Sequence, residues 1–142
     1  MAEQHTIQVD IVSAEGEIFS GPAKMVFAAA IEGDLGIYPR HTPLLTLLKA
    51  GEVRVQPPEG PQQSFFVGGG SLEVQPNKVT VLADTAIRAH DVDEAAALAA
   101  KQRAEEALRD RPGNITQAEA LAELSRMVAL VKFAQKLRNP RG

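Results

Sequence analysis

Near residue 91 the hydrophobic rhythm of this 142-residue chain changes from a period of two to one close to 3.6, so two architectures share it. From about residue 5 to 86, Ile7, Val9 and Ile11 alternate with Gln8, Asp10 and, imperfectly, Val12. Val53 and Val55 alternate with Arg54 and Gln56, Leu72 and Val74 with Glu73 and Gln75, and Val79 and Val81 flank Thr80. Gly21-Pro22, Gly33, Pro39, Gly51, Gly68-Gly69-Gly70 and Pro76-Asn77 punctuate these runs. Many short, regularly interrupted strands predict an antiparallel β-sandwich. The clearest hairpin spans 71–83, where Gln75-Pro76-Asn77-Lys78 suits a tight turn with proline second. Pro57-Pro58-Glu59-Gly60-Pro61 is too rich in proline for a central strand and predicts an exposed hairpin tip.

Beyond residue 91 the pattern is helical. Asp91 with Glu94 three places on predicts a helix start, and Ala95–Ala107 is alanine-rich without glycine, proline or β-branching. Pro112-Gly113-Asn114 ends that run; a second helix is expected from about Thr116, with Glu119 three residues later, to about Arg138. The fold class is therefore α+β: an N-terminal antiparallel β-sandwich over 1–88 and a C-terminal antiparallel two-helix hairpin over 89–142. In helix two, Leu121, Leu124, Val128 and Val131 form one stripe, and Leu130, Phe133 and Leu137 a second. One stripe suffices to pack on helix one, so the other needs a further neighbour, either the sandwich at rest or a different protein. Helix one offers mainly alanines plus Leu98 and Leu108, which bury little area and predict a weakly held arm.

Charge is unevenly placed. Residues 124–142 hold five cations and no acid, so a net charge of −3 overall leaves −8 on the remainder. Nucleic-acid binding wants a broad basic face, and an acidic body repels phosphates. An acidic protein partner or a solvated helix face fits instead. No cysteine is present, which excludes disulfides and thiolate metal sites. No apolar run reaches a membrane span and no leader pattern opens the chain, so membrane association is expected only through another protein.

Chemistry is absent from the motifs. His5, His41 and His90 lack a second ligand at metal spacing, which leaves no metal site. Gly68-Gly69-Gly70 is followed by a strand and by no lysine-serine or lysine-threonine pair, so a strand turn explains it better than a phosphate loop. The serines lack a nucleophile-elbow setting, and Asp84 with Arg88 predicts a structural salt bridge. Nothing assembles nucleophile, base and oxyanion donor, and no catalysis or cofactor is expected of this chain.

Glu32-Gly33-Asp34-Leu35-Gly36-Ile37-Tyr38-Pro39-Arg40-His41-Thr42-Pro43-Leu44-Leu45-Thr46-Leu47-Leu48 reads as a rigid, irregular surface loop. Leu35, Ile37, Tyr38, Leu44 and Leu45 form an apolar strip on it, a docking signal. Together with Leu72–Arg88 (Leu-Glu-Val-Gln-Pro-Asn-Lys-Val-Thr-Val-Leu-Ala-Asp-Thr-Ala-Ile-Arg), this segment resembles the epsilon subunit of bacterial F-type ATP synthases, from about Val9 to the last helix.

The resemblance implies a non-catalytic central-stalk subunit at the cytoplasmic face of the bacterial inner membrane. It would couple ion-driven rotation of the c-subunit ring to the gamma subunit for ATP synthesis. It places Glu32, Asp34, Tyr38, Arg40 and His41 at the ring-facing foot, and Ile18, Phe19 and Ser20, more weakly, on the gamma side. The hairpin would inhibit ATP hydrolysis by reaching the catalytic alpha and beta subunits, with Arg126, Lys132, Lys136 and Arg138 facing their acidic segment. Some relatives bind ATP through Ile/Leu-Asp-x-x-Arg-Ala at the start of helix one. Here Val92-Asp93-Glu94-Ala95-Ala96-Ala97 keeps the aspartate but has Ala96 for the arginine. Arg103 and Arg126 match other basic positions, and Leu130 stands where some relatives have arginine, so very weak or no ATP binding is expected. Two rival readings are an ATP-sensing module, which the missing arginine disfavours, and a stand-alone sandwich adaptor, which leaves loop and basic helix without a common purpose.

Overall fold

The computed structural model describes residues 5–110 and 113–139. They fall into two compact units, Met1–Ala89 and His90–Gly142. The first holds β1 (Ile7–Ser13), β2 (Gly16–Ala23), β3 (Met25–Ala30), β4 (Gly33–Ile37), β5 (Leu44–Gln56), β6 (Gln63–Gln75), β7 (Lys78–Ala83) and β8 (Ala86–Arg88). They form one hydrogen-bonded path, β2-β1-β7-β6-β5-β3-β4, with β8 on β6. The path closes into a sandwich because β5 and β6 are 13 residues each and serve both layers. The Gly70–Gln75 half of β6 pairs with β7, whereas Phe65–Val67 pairs with β8.

The glycine triplet lies where β6 changes layers. Gly69 and Gly70 have φ of +104° and +138°, and a Cβ on Gly70 would stand 2.1 Å from the Leu82 carbonyl oxygen. Only glycine lets β7 approach so closely. The 71–83 hairpin forms as expected, with Gln75 opposite Lys78, and the Pro57–Pro61 stretch joins β5 to β6, with Glu59, Gly60 and Pro61 exposed.

One pairing departs from the antiparallel expectation. β1 and β7 run parallel, from Gln8 opposite Lys78 to Ser13 opposite Ala83. The two strands are far apart in sequence and share no tight turn. A period of two is the same in either direction, so the sequence pattern carries no sign for this ladder. The alternating residues do face one core: Ile7, Val9, Ile11, Val26, Ile37, Val53, Val55, Leu72, Val79 and Val81 are at most 1% exposed. Each such side chain contributes roughly 1.5–3 kcal/mol by burial.

The second unit holds a 3₁₀ turn at Ala89–Asp91, then α1 (Glu94–Asp110) and α2 (Gln117–Arg138). Asp93, not Asp91, caps α1: its carboxylate accepts from the amides of Ala95 (2.9 Å) and Ala96 (3.4 Å). The 3₁₀ turn uses Asp91 and delays the helix by two residues. Thr116 caps α2 as expected, accepting from the Glu119 amide at 3.1 Å. The proline expected to end helix one lies outside the described residues. Arg138 Nε and Glu94 Oε1 are 3.2 Å apart, which fixes the two helices as antiparallel.

The buried positions are Ala97 and Ala104 on α1 and Ala120, Leu130, Val131, Phe133 and Ala134 on α2. Alanine contact is thus as expected, but Leu98 (45% exposed) and Leu121 (48%) do not join it. They sit one position past Ala97 and Ala120, about 100° round the helix, where the alanines let the backbones close and leave the leucines outside.

Candidate functional site

The segment read as an irregular docking loop is largely strand, made of β4 and the start of β5. Ile31 and Glu32 form the turn between β3 and β4, and β4 pairs along β3 from Gly33–Ala30 to Ile37–Val26. Strand alternation overturns part of the expected apolar strip: Ile37 is fully buried opposite Val26, and Leu35 and Leu44 pack against the core. The large apolar side chains exposed here are Ile31 (56%), Tyr38 (61%), Leu45 (74%) and Leu47 (57%). The Ile31 amide donates to the Leu47 carbonyl at 3.0 Å, so the β3–β4 turn lies beside Leu47.

Tyr38-Pro39-Arg40-His41 makes a tight turn closed by the His41 amide donating to the Tyr38 carbonyl at 3.1 Å. Arg40 sits at φ +69°, and its amide donates 2.7 Å to the Pro76 carbonyl, tying this turn to the β6–β7 turn. His41 Nδ1 is 2.6 Å from the Thr42 carbonyl, which assigns the proton to Nδ1. Tyr38, Arg40 and His41 are therefore presented together. Glu32 and Asp34 are exposed at the other end of β4, four residue steps or roughly 13 Å along the strand.

The outer face of the layer β2-β1-β7-β6-β5 has two cross-strand rows. One runs Leu47, Ser71, Leu82, Val12, Glu17; its neighbour runs Leu45, Glu73, Thr80, Asp10, Ser20. Leu82 is 54% exposed. Asp10 accepts from Gln8 Nε2 (3.0 Å) and Ser20 Oγ (2.8 Å) and pairs with Lys78 Nζ at 3.2 Å. Those donors hold its carboxyl below the usual range, the Gln8 bond first and the Ser20 bond next. Ile18 and Phe19, read as gamma-side candidates, pack against the core, and Ser20 is tied to Asp10. Strand register turns Phe19 inward opposite Ile11, while Ser20 stays on the open face opposite Asp10.

Arg88 does not pair with Asp84. Its guanidinium donates to the Ile18 carbonyl at 2.7 Å, because β8 brings it beside β2. Among the nucleotide candidates, Asp93 is engaged by the α1 amides, Arg103 is exposed, and Arg126 pairs with Glu123 one turn earlier. Lys132, Lys136 and Arg138 lie on the last two turns of α2, where cations complement the helix dipole. Signals that reasoning from the sequence left unused were Leu47 and Leu82, whose outward positions follow from the same alternation that buries Leu48 and Val81.

An eight-stranded sandwich followed along the chain by a two-helix hairpin is the architecture of the delta/epsilon chains of ATP synthases. The family described as ATP synthase, Delta/Epsilon chain, beta-sandwich domain matches residues 6–89, and its long alpha-helix domain matches residues 90–135. The chain is 63% identical over 137 residues to an ATP synthase epsilon chain of Nitrosococcus oceani, covering 96% of this chain and 98% of that one. It is 56% identical to the epsilon chain of Halorhodospira halophila over 94% of this chain and 95% of that one. A chain from the Euglena gracilis mitochondrial ATP synthase OSCP/F1/c-ring structure shares the fold at TM-score 0.76 and 16% identity, covering 89% of this chain and 79% of that one. One from the Tetrahymena thermophila mitochondrial central stalk and c-ring does so at TM-score 0.61 and 17% identity, covering 96% and 99%. This chain belongs to the ATP synthase epsilon family.

Proposed function

We propose that this epsilon chain is a rotor subunit of the central stalk, transmitting c-ring rotation to gamma during ATP synthesis, with its hairpin restraining hydrolysis. Nearly full-length identity of 63% to a bacterial epsilon chain is the observation that carries the reading. The foot residues are Tyr38, Arg40 and His41 at the turn fastened to Pro76, with Glu32 and Asp34 at the far end of β4. Fastened turns suit torque transmission, because a contact that deforms under load dissipates the rotation it should pass on. No helix among the described residues is long and apolar enough to cross a membrane, so the ring would supply the membrane contact. The site is then peripheral, at the cytoplasmic face of the inner membrane.

The hairpin is the regulatory element in this reading. Its electrostatic side is Arg126, Lys132, Lys136 and Arg138, which would face acidic surface on the catalytic alpha and beta subunits. Exposed ion pairs contribute only about 0–1 kcal/mol each, so these cations bias the arm and do not lock it. With Asp93 engaged as a helix cap and Ala96 in place of an arginine, the hairpin would act without ATP as a ligand.

Deleting residues 115–142 and assaying hydrolysis by the assembled enzyme tests the brake. Faster hydrolysis is the expected outcome, and unchanged hydrolysis refutes it. Replacing Tyr38 and His41 by alanine tests the foot. Hydrolysis should then run with less ion pumping, and unimpaired pumping in membrane vesicles removes these residues from the coupling path.

A further inference from the structure

The open end of the helical hairpin is closed by charge where apolar area is scarce. About one turn inside that end, the buried residues are Ala97 on α1 and Ala134 on α2. Alanine contact buries little area, so little resists separation of the helices there. The other end is tied by the chain itself, where residues 111–116 join α1 to α2. Separation therefore starts at the open end, and there Arg138 Nε stands 3.2 Å from Glu94 Oε1. Each charge also suits its own helix: Glu94 opens α1, where the dipole is positive, and Arg138 closes α2, where it is negative.

The two partners differ in accessibility. The Glu94 side chain is 25% exposed and that of Arg138 is 69% exposed. Neighbouring Asp93 is engaged by the amides of Ala95 and Ala96, so Glu94 is the carboxylate offered to α2. The pair is made through Nε, and the guanidinium has two further nitrogens that can meet a second carboxylate. Beside it, Lys132, Gln135, Lys136, Arg138 and Asn139 line an open hollow of ≈ 470 Å³ through which such a group can arrive.

We propose that Glu94 is an internal competitor for Arg138: it masks one cation of the brake and holds the hairpin shut until an acidic group of the catalytic subunits takes the arginine over. The proposal rests on the brake reading above and adds how that brake is held off. Exchanging one carboxylate for another on the same guanidinium is nearly neutral, because the pair broken and the pair formed are alike. A near-neutral exchange answers to small biases, and the difference between the two pairs fixes its set point. Arg126 is paired with Glu123 on its own helix, so that pair survives opening, and Lys132 forms no ion pair among the described residues. Arg138 is thus a cation whose availability depends on the state of the hairpin.

The test uses the full chain, which contains no cysteine, with Ala99→Cys and Gln135→Cys carrying spin labels at exposed positions of the two helices. Pulsed electron-spin distance measurement reads the hairpin, and hydrolysis by the enzyme assembled with the unlabelled chain reads the brake. Glu94→Gln should raise the open-to-closed ratio about twofold to fivefold at low salt, the range of a surface ion pair, and the gain should shrink at moderate salt. The enzyme carrying it should hydrolyse ATP more slowly, because Arg138 is unmasked. Arg138→Gln should open the hairpin by a similar factor but slow hydrolysis less. The double variant should open it no further than either single one, the mark of a direct pair. An additive double variant, or a Glu94→Gln hairpin as closed as the unaltered one, overturns the proposal and leaves the brake reading standing. Opening in Glu94→Gln without slower hydrolysis overturns it too. Unchanged hydrolysis after deletion of residues 115–142 overturns the brake reading itself. Circular dichroism of each variant separates opening from fraying of α1, and Arg138→Gln carries the distance test if Glu94→Gln frays.

Discussion

In the sandwich, Ile7, Val9 and Ile11 of β1 are fully buried, whereas in α1 the buried positions are Ala97 and Ala104. The first unit joins strands far apart in sequence around branched and aromatic side chains. The second joins two consecutive helices through small ones, with Leu98, Leu121 and Leu137 left 38–48% exposed. Burial scales with apolar area, so equal numbers of contacts do not give equal stability. The difference teaches that the two regions are held differently: one by a core of branched and aromatic side chains, the other by small-residue contact that buries less area.

The largest break in that comparison comes from the sandwich core. Phe65 is 2% exposed and meets Phe19 edge-on at a centroid distance of 5.7 Å. Phe65→Ala should cost about 3–5 kcal/mol, read as a lower midpoint in chemical denaturation. A loss below about 1 kcal/mol would mean that the core is not the rigid half. A smaller effect is expected at the hairpin. Thr116→Ala removes the α2 cap and should cost about 1 kcal/mol, seen as faster amide exchange in the first turns of α2 and unchanged exchange in β1 and β7. Equal acceleration in both units would show that they unfold together.

The smallest effect is a pH dependence confined to the sandwich. The Asp10 carboxyl is held below its usual 3.8 by Gln8 and Ser20, with Lys78 adding to the effect. Its stabilisation is therefore complete above the unfolded value and is lost as pH falls through the lower folded one. Asp10→Asn should lower the thermal midpoint slightly at neutral pH and flatten its decline below about pH 4, so that the two proteins converge in acid. An unaltered acid decline in that variant would assign it to other carboxylates.

The legibility of the chain divides along physical lines. Alternation over 7–11, 53–55, 72–74 and 79–81 identified core positions correctly, because side-chain period alone sets which face a strand residue takes. The Thr116–Glu119 cap was readable for the same reason: both partners are local in sequence. The segment 32–48 was read as loop because its two glycines and two prolines outweighed the alternation of Leu35 and Ile37. The strand there exists through pairing with β3, and only long-range contact reveals it. Among the foot candidates, the pairing of Arg40 with Pro76 has no local signal at all.

By itself the sequence determined the two architectures and the Thr116 cap of α2. These depend on periodicity and short-range capping, which act over a few residues. The tertiary structure decided the parallel pairing of β1 with β7, the layer change at Gly69-Gly70 and the assembly of Leu45, Leu47, Glu73 and Leu82 on one open face. Strands distant along the chain can pair in more than one register and direction, and only the closure of a common core chooses among them.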